Sequence, residues 1–259
     1  MSARGASLLV LLLAGHFLAD FLFQTRAAVE AKRRGIGYAG HGVVVLGAHL
    51  LALLPLLSLP VAGVASGIAL VHVGVDRVKT AATRERPARL SAFLLDQAVH
   101  VAVVVGGWLL LVGTGSLPAV RWLSEAQLGD WTAVVGLAAA FAFNATGGSA
   151  VVEGVLDFLP RGPEPGGSGS RGGAAPGAGA GGYAGAGRLI GMLERTLMLF
   201  LVLYGQWAAA VLLLTAKSIA RFEELKERRF AEYYLVGTLT SLLVATVIGL
   251  ALGRVLGGF

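Results

Sequence analysis

The sequence predicts an all-α fold, a polytopic transmembrane bundle of six or seven membrane helices. The first reason is composition: 56% of the 259 residues are hydrophobic and only 14% are charged, whereas roughly 25% of residues in a typical soluble domain are charged. A water-soluble fold of this length could not bury so much apolar surface, but in a bilayer each helix can face lipid. The second reason is that several apolar segments approach the ~20 residues that span a membrane as a helix. Because backbone groups in hydrocarbon must pair within the segment, we expect helices and not open strands.

Seven apolar segments are the candidate membrane helices. Pro60 separates the second from the third so closely that the two should form a tight helical hairpin, and the fifth is short for a span. In chain order the seven segments are Ala6–Phe23, Ala39–Leu59, Val61–Val78, Ala92–Val112, Trp131–Thr146, Leu189–Ala216 and Ala231–Leu252.

A Gly- and Pro-rich segment, residues 160–187, divides the chain. It contains almost no large apolar side chain, which is typical of a flexible linker. We therefore expect three parts: an N-terminal transmembrane domain over residues 1–159, the linker, and a C-terminal two-helix transmembrane unit over residues 188–259. A basic amphipathic connection joins the two helices of the last part.

The residue types exclude some kinds of site. The chain has no cysteine, which excludes a disulfide framework, a thiolate metal site and an iron–sulfur cluster. Its net charge of +6 comes from basic residues between the apolar segments, where they act as topology signals. No pattern of basic residues with stacking aromatic residues is present, so we do not expect nucleic-acid binding. The expected partner is the lipid bilayer, and assembly into a homo-oligomer stays open.

The basic loops predict which helix ends face the cytoplasm. The segments Arg26–Arg34 and Arg77–Arg89 are rich in Lys and Arg, and such loops stay cytoplasmic, which places the N-terminus outside. A third basic loop, Lys217–Arg229, belongs on the same side only if the chain crosses the membrane an even number of times after Arg89. Three candidate segments follow Arg89, so we expect the short one, Trp131–Thr146, to be re-entrant or interfacial.

All five histidines lie in the first hundred residues, and three of them have an aspartate one helical turn away. Residues four apart lie on one face of an α-helix, so the members of each pair share a face. Two glutamines and a lysine accompany these pairs, whereas the other two histidines are eight apart and share a face only loosely. The pairs are His16 with Asp20, His72 with Asp76 and Asp96 with His100; the accompanying residues are Gln24, Lys79 and Gln97; the other histidines are His41 and His49.

Charged side chains inside a membrane are costly, at about 2.5–3.5 kcal/mol each at the centre of a helix. Such groups should therefore face one another, an ion or water rather than lipid. A histidine and a carboxylate one turn apart can bind one cation together, or the carboxylate can orient the imidazole. Because the aspartates fall toward the predicted cytoplasmic ends and their histidines lie one turn deeper, we expect one layered site that opens to the cytoplasm. The alternative to a functional site is that the aspartates lie at the membrane interface, where they cap helices or pair with nearby basic residues.

These considerations give three groups of candidate site residues. The first would bind a divalent metal ion (zinc, manganese or iron), because imidazole and carboxylate ligands suit these ions. The second would act in catalysis, and the third completes the polar cluster. The expected metal ligands are His16, Asp20, His72, Asp76, Asp96 and His100; the catalytic candidates are Asp20, Asp76 and Lys79; the other members are Gln24, His41, His49 and Gln97.

Three segments, Gly15–Gln24, His72–Lys79 and Phe93–His100, together resemble a bacterial membrane family known as domain of unknown function 3307. The resemblance implies a location in the bacterial inner membrane and marks the His, Asp, Gln and Lys residues above as the family pattern, but it implies no reaction. The family shows one histidine in the second helix, a place for which both His41 and His49 compete.

The C-terminal part resembles an extension that many members of the same family carry. The resemblance rests on three further segments, which are Gly187–Arg195, Ala216–Phe222 and Ala231–Thr238.

Three functions fit these observations. The first is a membrane-embedded, metal-dependent hydrolase acting on a membrane-associated or phosphate-bearing substrate, in which the ion would activate water and Lys79 or Arg77 would hold a phosphate. Neither an HExxH nor a GxSxG motif is present to support it. The second is a divalent-cation or proton-coupled transporter, and the third is a non-catalytic membrane scaffold held together by its polar pairs. The sequence leaves open whether the chain is an enzyme and which substrate it would take.

Overall fold

The computed structural model describes residues 2–83, 90–159 and 186–256. Within these ranges every regular element is a helix and no strand is present, which confirms the predicted all-α fold. The α-helices of these ranges, in chain order, are α1 (Ala3–Phe21), α2 (Arg26–Arg33), α3 (Tyr38–Ala52), α4 (Leu59–Thr83), α5 (Leu90–Gly113), α6 (Glu125–Ala142), α7 (Gly148–Leu156), α8 (Ala186–Leu203), α9 (Trp207–Ala220) and α10 (Arg228–Leu256).

The described helices are those of a polytopic membrane protein, as the sequence predicts. Five helical stretches are long and apolar enough to cross a membrane, and the apolar helices α3 and α9 are shorter. The five stretches are Ala3–Phe21, Leu59–Ala81, Leu90–Gly113, Glu125–Leu156 and Arg228–Arg254.

The contacts between helices divide the chain into two compact units, Met1–Phe143 and Asn144–Phe259. The predicted linker, residues 160–187, lies outside the described residues except for its last two positions, where α8 begins. Each unit is described by itself below.

Helix α1 lies at the centre of the first unit. It contacts α3, α5 and α6, while α4 contacts α3 and α5. The approach of α1 to α3 requires a glycine, because a β-carbon on Gly15 would lie 2.9 Å from Cα of His49. The hairpin predicted at Pro60 is confirmed: a 3-10 turn, Leu54–Leu56, joins α3 to α4, and the two helices pack together.

Apolar side chains fill one end of the first unit. They come from the N-terminal halves of α1 and α4, the turn after α3, the C-terminal half of α5 and the start of α6. Two tryptophans border this core and donate their indole N–H groups to backbone carbonyls, Trp108 to Gly5 and Trp131 to Ala52, both at 2.8 Å. The polar side chains described below lie at the other end of the unit. The core residues are Leu8, Leu11, Leu12, Leu53, Leu56, Val61, Ala65, Ile68, Val104, Leu111 and Leu128.

The first basic loop contains a short amphipathic helix, α2, which contacts α3. The hydroxyl of Thr25 caps its start by accepting from the Ala28 amide at 3.2 Å. Gly35 ends it in the left-handed conformation, with φ of 82°, and the amide of Ile36 returns to the Ala31 carbonyl, as in a Schellman cap. This geometry turns Lys32 inward, where it is buried.

The fifth candidate segment differs from the expectation of a short re-entrant piece. Ser124 starts α6 earlier with a reciprocal capping box to Gln127, and a π-helical turn, Phe143–Gly147, leads directly into α7. The resulting helical stretch Glu125–Leu156 has 32 residues and is long enough to cross a membrane. We therefore correct the expectation that Trp131–Thr146 is re-entrant.

In the second unit a buried arginine joins α8 to the π-helical turn. Arg195 Nε donates to the Asn144 carbonyl at 3.1 Å and Nη2 donates to the Ala145 carbonyl at 3.2 Å, and Nη2 also donates to the Ser149 hydroxyl. Asn144 returns a bond from Nδ2 to the Arg195 carbonyl at 2.9 Å. A π turn leaves backbone carbonyls without their usual helical partners, and here the guanidinium binds them.

The sixth candidate segment, Leu189–Ala216, was expected to be one helix and is two. Gly205 adopts φ of 63°, and the bonds Gly205 N–H to Val202 O and Gln206 N–H to Leu201 O form a Schellman cap that ends α8. Helices α8 and α9 then pack against each other, with Lys217 Nζ 2.5 Å from Glu194 Oε2. In a membrane, such a hairpin would return the chain to the side that it left and add an even number of crossings, which agrees with placing the three basic loops on one side.

Candidate metal centre

Three ligand-type atoms from three helices meet in the polar end of the first unit. His41 Nε2 of α3 lies 3.0 Å from His72 Nε2 of α4, and Asp20 Oδ1 of α1 lies 3.1 Å from the former and 3.3 Å from the latter. Both imidazoles are almost completely buried, and the Asp20 side chain is 11% exposed. Helix periodicity predicted the pairs within helices, but only the packing of α1, α3 and α4 shows this meeting point.

This triangle has the dimensions of a metal site. Nitrogen and oxygen ligands at about 2.0–2.1 Å from a tetrahedral ion lie roughly 3.3 Å from one another, close to the observed 3.0, 3.1 and 3.3 Å. A neutral imidazole offers one nitrogen lone pair, and a carboxylate oxygen can only accept, so all three atoms are of types that bind a cation. A proton can bridge only two of the three atoms at a time, whereas a cation between them would satisfy all three.

A fourth group, Asp76, stands beside the triangle together with a lysine. Asp76 Oδ2 lies 3.7 Å from His41 Nε2 and 3.8 Å from His72 Nε2, and it accepts a hydrogen bond from Lys32 Nζ. The side chains of Lys32 and Asp76 are each 10% exposed. Lys32 is not among the residues predicted from the sequence, because Arg26–Arg34 was interpreted only as a topology signal. The amphipathic pattern of α2 is the feature of the sequence that could have indicated it.

A second set of candidate residues lies on α5. Lys79 Nζ donates to Asp96 Oδ2 at 2.6 Å, and Gln97 Nε2 donates to the same oxygen at 3.3 Å. His100 Nδ1 donates to the Asp96 carbonyl at 2.8 Å, and its Nε2 lies 4.0 Å from Asp76 Oδ1. Lys79, which we expected to act in catalysis, thus holds an aspartate.

His16 connects the two sets. Its Nε2 lies 3.4 Å from Gln97 Oε1 and its Nδ1 lies 4.0 Å from Asp20 Oδ2. The ring stacks on that of His100 with centroids 5.3 Å apart and meets that of His72 edge-on at 5.5 Å. His16 therefore contacts both sets of ligand-type atoms.

The remaining predicted members divide into one that joins the cluster and one that does not. Gln24 Nε2 lies 3.5 Å from both ring nitrogens of His41. His49 Nδ1 donates to the Val45 carbonyl at 2.8 Å, and His49 is in none of the groups that could hold a metal ion. Of the two histidines that competed for the second-helix position, the structure thus places His41 at the centre.

The predicted pairs share helix faces, but their closest contacts lie across helices. Within helices, the nearest nitrogen–oxygen distances are 4.0 Å for His16 and Asp20, 3.8 Å for His72 and Asp76, and 3.7 Å for His100 and Asp96. Across helices, the contacts of His41, His72 and Asp20 are 3.0–3.3 Å. The cluster is thus an interhelical site rather than three separate chelating pairs.

The charges of the cluster favour a bound cation. Three carboxylates (Asp20, Asp76 and Asp96) face two ammonium groups (Lys32 and Lys79), so with neutral imidazoles the sum is 3 negative against 2 positive charges. Besides the triangle of His41, His72 and Asp20, three overlapping groups of the described residues have ligand atoms close enough to hold a metal ion. These are His16 with Asp20 and His72, His41 with His72 and Asp76, and Asp76 with Asp96 and His100.

Comparison with known proteins gives one match. The model of the family described as "Protein of unknown function (DUF3307)" matches residues 8–124, and helices α6 to α10 follow that region. No curated protein and no solved structure matches the chain significantly. The matched region contains every residue of the candidate metal centre, and it is similar to the DUF3307 family, in agreement with the resemblance of its sequence.

Proposed function

We propose that the first unit is a membrane-embedded, metal-dependent hydrolase of the bacterial inner membrane that acts on a phosphate-bearing or membrane-associated substrate. The observation that carries this proposal is the meeting of His41, His72 and Asp20, whose ligand-type atoms lie 3.0–3.3 Å apart between three helices.

Two imidazoles and one carboxylate form a donor set used by catalytic zinc, and manganese and iron accept the same ligands. When bound, such an ion supplies Lewis-acid activation of water and of a phosphoryl oxygen near neutral pH. His41, His72 and Asp20 would hold it, leaving a coordination position for the reacting molecule.

Asp76 and Lys32 lie where they could act on a water molecule and a substrate bound to the ion. The Asp76 carboxylate, 3.7 and 3.8 Å from the two imidazoles, would accept a proton from a water molecule at the open position. The ammonium of Lys32, now bonded to Asp76, would contact a negatively charged oxygen of the substrate. Asp20 and Asp76 were expected as catalytic residues, and in this proposal the first holds the ion and the second moves the proton.

Basic side chains at the same end of the unit favour an anionic substrate. Arg77 is exposed and its guanidinium lies 5.2 Å above the Tyr38 ring, while the Lys79 side chain is 39% exposed beside Asp96. With Lys32 these groups place positive charge beside the carboxylates of the cluster, and such charge attracts phosphate groups and the headgroups of anionic lipids.

The apolar core favours an enzyme over a transporter. A transported ion would have to pass the apolar cluster that includes Leu8, Leu12 and Leu111, each 2% exposed or less, and a hydrophobic cluster of this kind offers an ion no ligand. A site that is accessible from one side of the membrane would suit a reaction whose substrate and products are both on that side.

The test is elemental analysis of the purified full-length protein beside the variants Asp20→Asn and His72→Ala, followed by hydrolysis assays on lipid-linked phosphate esters. We expect bound zinc, manganese or iron in the wild type, loss of the ion in both variants, and release of phosphate only by the loaded wild type. A well-folded protein that binds none of these ions would overturn the proposal and favour a scaffold. Flux of the bound ion into proteoliposomes, without hydrolysis, would instead establish transport.

A further inference from the structure

We propose that the cluster holds a second divalent ion, between Asp76, Asp96 and His100, next to the ion held by His41, His72 and Asp20. This inference rests on the proposed function and makes the site a two-ion centre. Each of the three residues offers a ligand-type atom, and these atoms lie within 4.8 Å of one another.

The hydrogen bonding of the His100 imidazole is typical of a metal ligand. Its Nδ1 lies 2.8 Å from the Asp96 carbonyl, and since a carbonyl can only accept, Nδ1 carries the proton. The lone pair of the neutral ring is therefore on Nε2, which is buried without a hydrogen-bond partner. This backbone bond fixes the tautomer and orientation of the ring, as is usual for metal-bound histidines.

The hydrogen bonds of the Asp96 carboxylate likewise leave one of its oxygens available to a metal ion. Its Oδ2 accepts from Lys79 and Gln97, which holds the group in place. Its Oδ1 is buried without a hydrogen-bond partner. These two buried acceptors, His100 Nε2 and Asp96 Oδ1, lack donors next to the carboxylate of Asp76, which is unfavourable, and a cation would satisfy both.

Asp76 links this position to the first one. Its Oδ2 faces His41 and His72 at 3.7 and 3.8 Å, whereas its Oδ1 faces His100 Nε2 at 4.0 Å. The rings of His72 and His100 have centroids only 4.1 Å apart, so the two positions are immediate neighbours.

Paired ions narrow the class of substrate. In hydrolases two ions about 3.5–4 Å apart bind the attacking and leaving oxygens of an in-line displacement at phosphorus. The arrangement therefore points to phosphate esters rather than to other membrane-associated substrates.

The experiment measures metal stoichiometry in the full-length protein, purified in detergent and loaded with Mn²⁺. We expect two ions per chain in the wild type, with the electron paramagnetic resonance spectrum of a coupled pair. His100→Ala and Asp96→Asn should each keep one ion, with an uncoupled spectrum. His49→Ala is the matched control, because His49 is also a buried histidine bonded through Nδ1 to a backbone carbonyl, with an unpartnered Nε2, and it should keep two.

The outcomes separate this inference from the proposed function. One ion in both the wild type and His100→Ala would overturn the second site and leave the first. Two ions in all variants, or loss of both ions from a folded His100→Ala protein, would also contradict a separate second position. No bound ion in any preparation would overturn the proposed function as well. Size-exclusion chromatography shows which variants are folded, and Asp96→Asn, which conserves volume, covers the case in which His100→Ala is not.

Discussion

His41 and His72 are 31 positions apart in the chain and come from different helices, yet their Nε2 atoms lie 3.0 Å apart. This contact distinguishes His41 from His49, which bonds instead to the backbone of its own helix. We expect His41→Ala to weaken metal binding by more than the 10- to 100-fold that loss of a group outside the ligand shell causes. His49→Ala should leave the affinity unchanged. Equal losses in the two variants, measured by competition with a chelating dye, would contradict the assignment.

The buried pair of Lys32 and Asp76 should contribute to stability in the absence of metal. Removing one member of a buried ion pair leaves an uncompensated charge and costs about 3–5 kcal/mol, so Lys32→Met should lower the free energy of unfolding by that order. The double variant Lys32→Met with Asp76→Asn should lose less than the sum of the single changes. Chemical unfolding in detergent gives both values.

An exposed ion pair serves as the control for that measurement. Lys226 and Glu223 lie 2.7 Å apart with side chains 61% and 78% exposed, and such pairs contribute about 0–1 kcal/mol. Lys226→Met should therefore change the free energy of unfolding by less than about 1 kcal/mol. A cost for Lys32→Met no larger than this would show that its contact with Asp76 adds nothing.

The close crossing of α1 and α3 should depend on Gly15. A β-carbon there would lie 2.9 Å from Cα of His49, so Gly15→Ala forces the helices apart and should cost about 1–3 kcal/mol, the usual cost of overpacking. Because Asp20 and His41 come from these two helices, the same change should also weaken metal binding. Gly47→Ala on α3 is the control, since nothing lies within 4 Å of its would-be β-carbon; it should be neutral or stabilising. Thermal unfolding of both variants, with and without metal, compares them.

Arg195 should hold the second unit together through its planar, forked group. Lysine cannot donate to the carbonyls of Asn144 and Ala145 and to the Ser149 hydroxyl in the same way, so Arg195→Lys should cost at least about 1.5–3 kcal/mol, the contribution of one charged hydrogen bond. The metal content should stay at the wild-type value, because every candidate ligand lies in the first unit. A helical, metal-loaded variant with unchanged stability would show that these bonds contribute nothing net.

The hairpin at Gly205 predicts a membrane topology that reporter fusions can test. With one crossing by Glu125–Leu156 and an even number by α8 and α9, reporters at Gly167 and Glu224 should both be cytoplasmic and a reporter at Trp122 should be external. If Trp131–Thr146 were re-entrant, the reporter at Gly167 would be external. If Leu189–Ala216 crossed once after a full Glu125–Leu156 span, the reporter at Glu224 would be external.

Much of the first unit could be predicted because helix periodicity and hydropathy act within a single segment. The faces shared by His16 and Asp20, and by His72 and Asp76, follow from 3.6 residues per turn alone. Periodicity does not determine which faces meet across helices. The meeting of Asp20 with His41 and His72 depends on the packing of α1 against α3 at Gly15, which no single segment encodes.

Two features were missed for local reasons. Lys32 lies on an eight-residue amphipathic helix, and because the basic residues of this helix also carry a topology signal, its amphipathic pattern was not interpreted as part of a site. The break at Gly205 depends on a single backbone angle of 63°, and hydropathy averaged over Leu189–Ala216 does not detect it. In a chain with 38 glycines, the presence of one more does not mark a helix end.

The apolar core at one end of the first unit would also determine how an ion at the candidate metal centre experiences the electric field across the membrane. A potential difference of 100 mV acts on each elementary charge that crosses it with about 2.3 kcal/mol, and this difference falls mainly across the least polarisable layer. In this unit that layer is the packed core of Leu8, Leu12, Leu111 and their neighbours. With the predicted orientation, the carboxylates and lysines stand on its cytoplasmic side, so an ion that arrives from the cytoplasm traverses little of the field. Because the potential would fall across the leucine-rich core, it would hardly affect ion binding at the candidate centre. The occupancy of the centre should therefore follow the cytoplasmic metal concentration rather than the membrane potential.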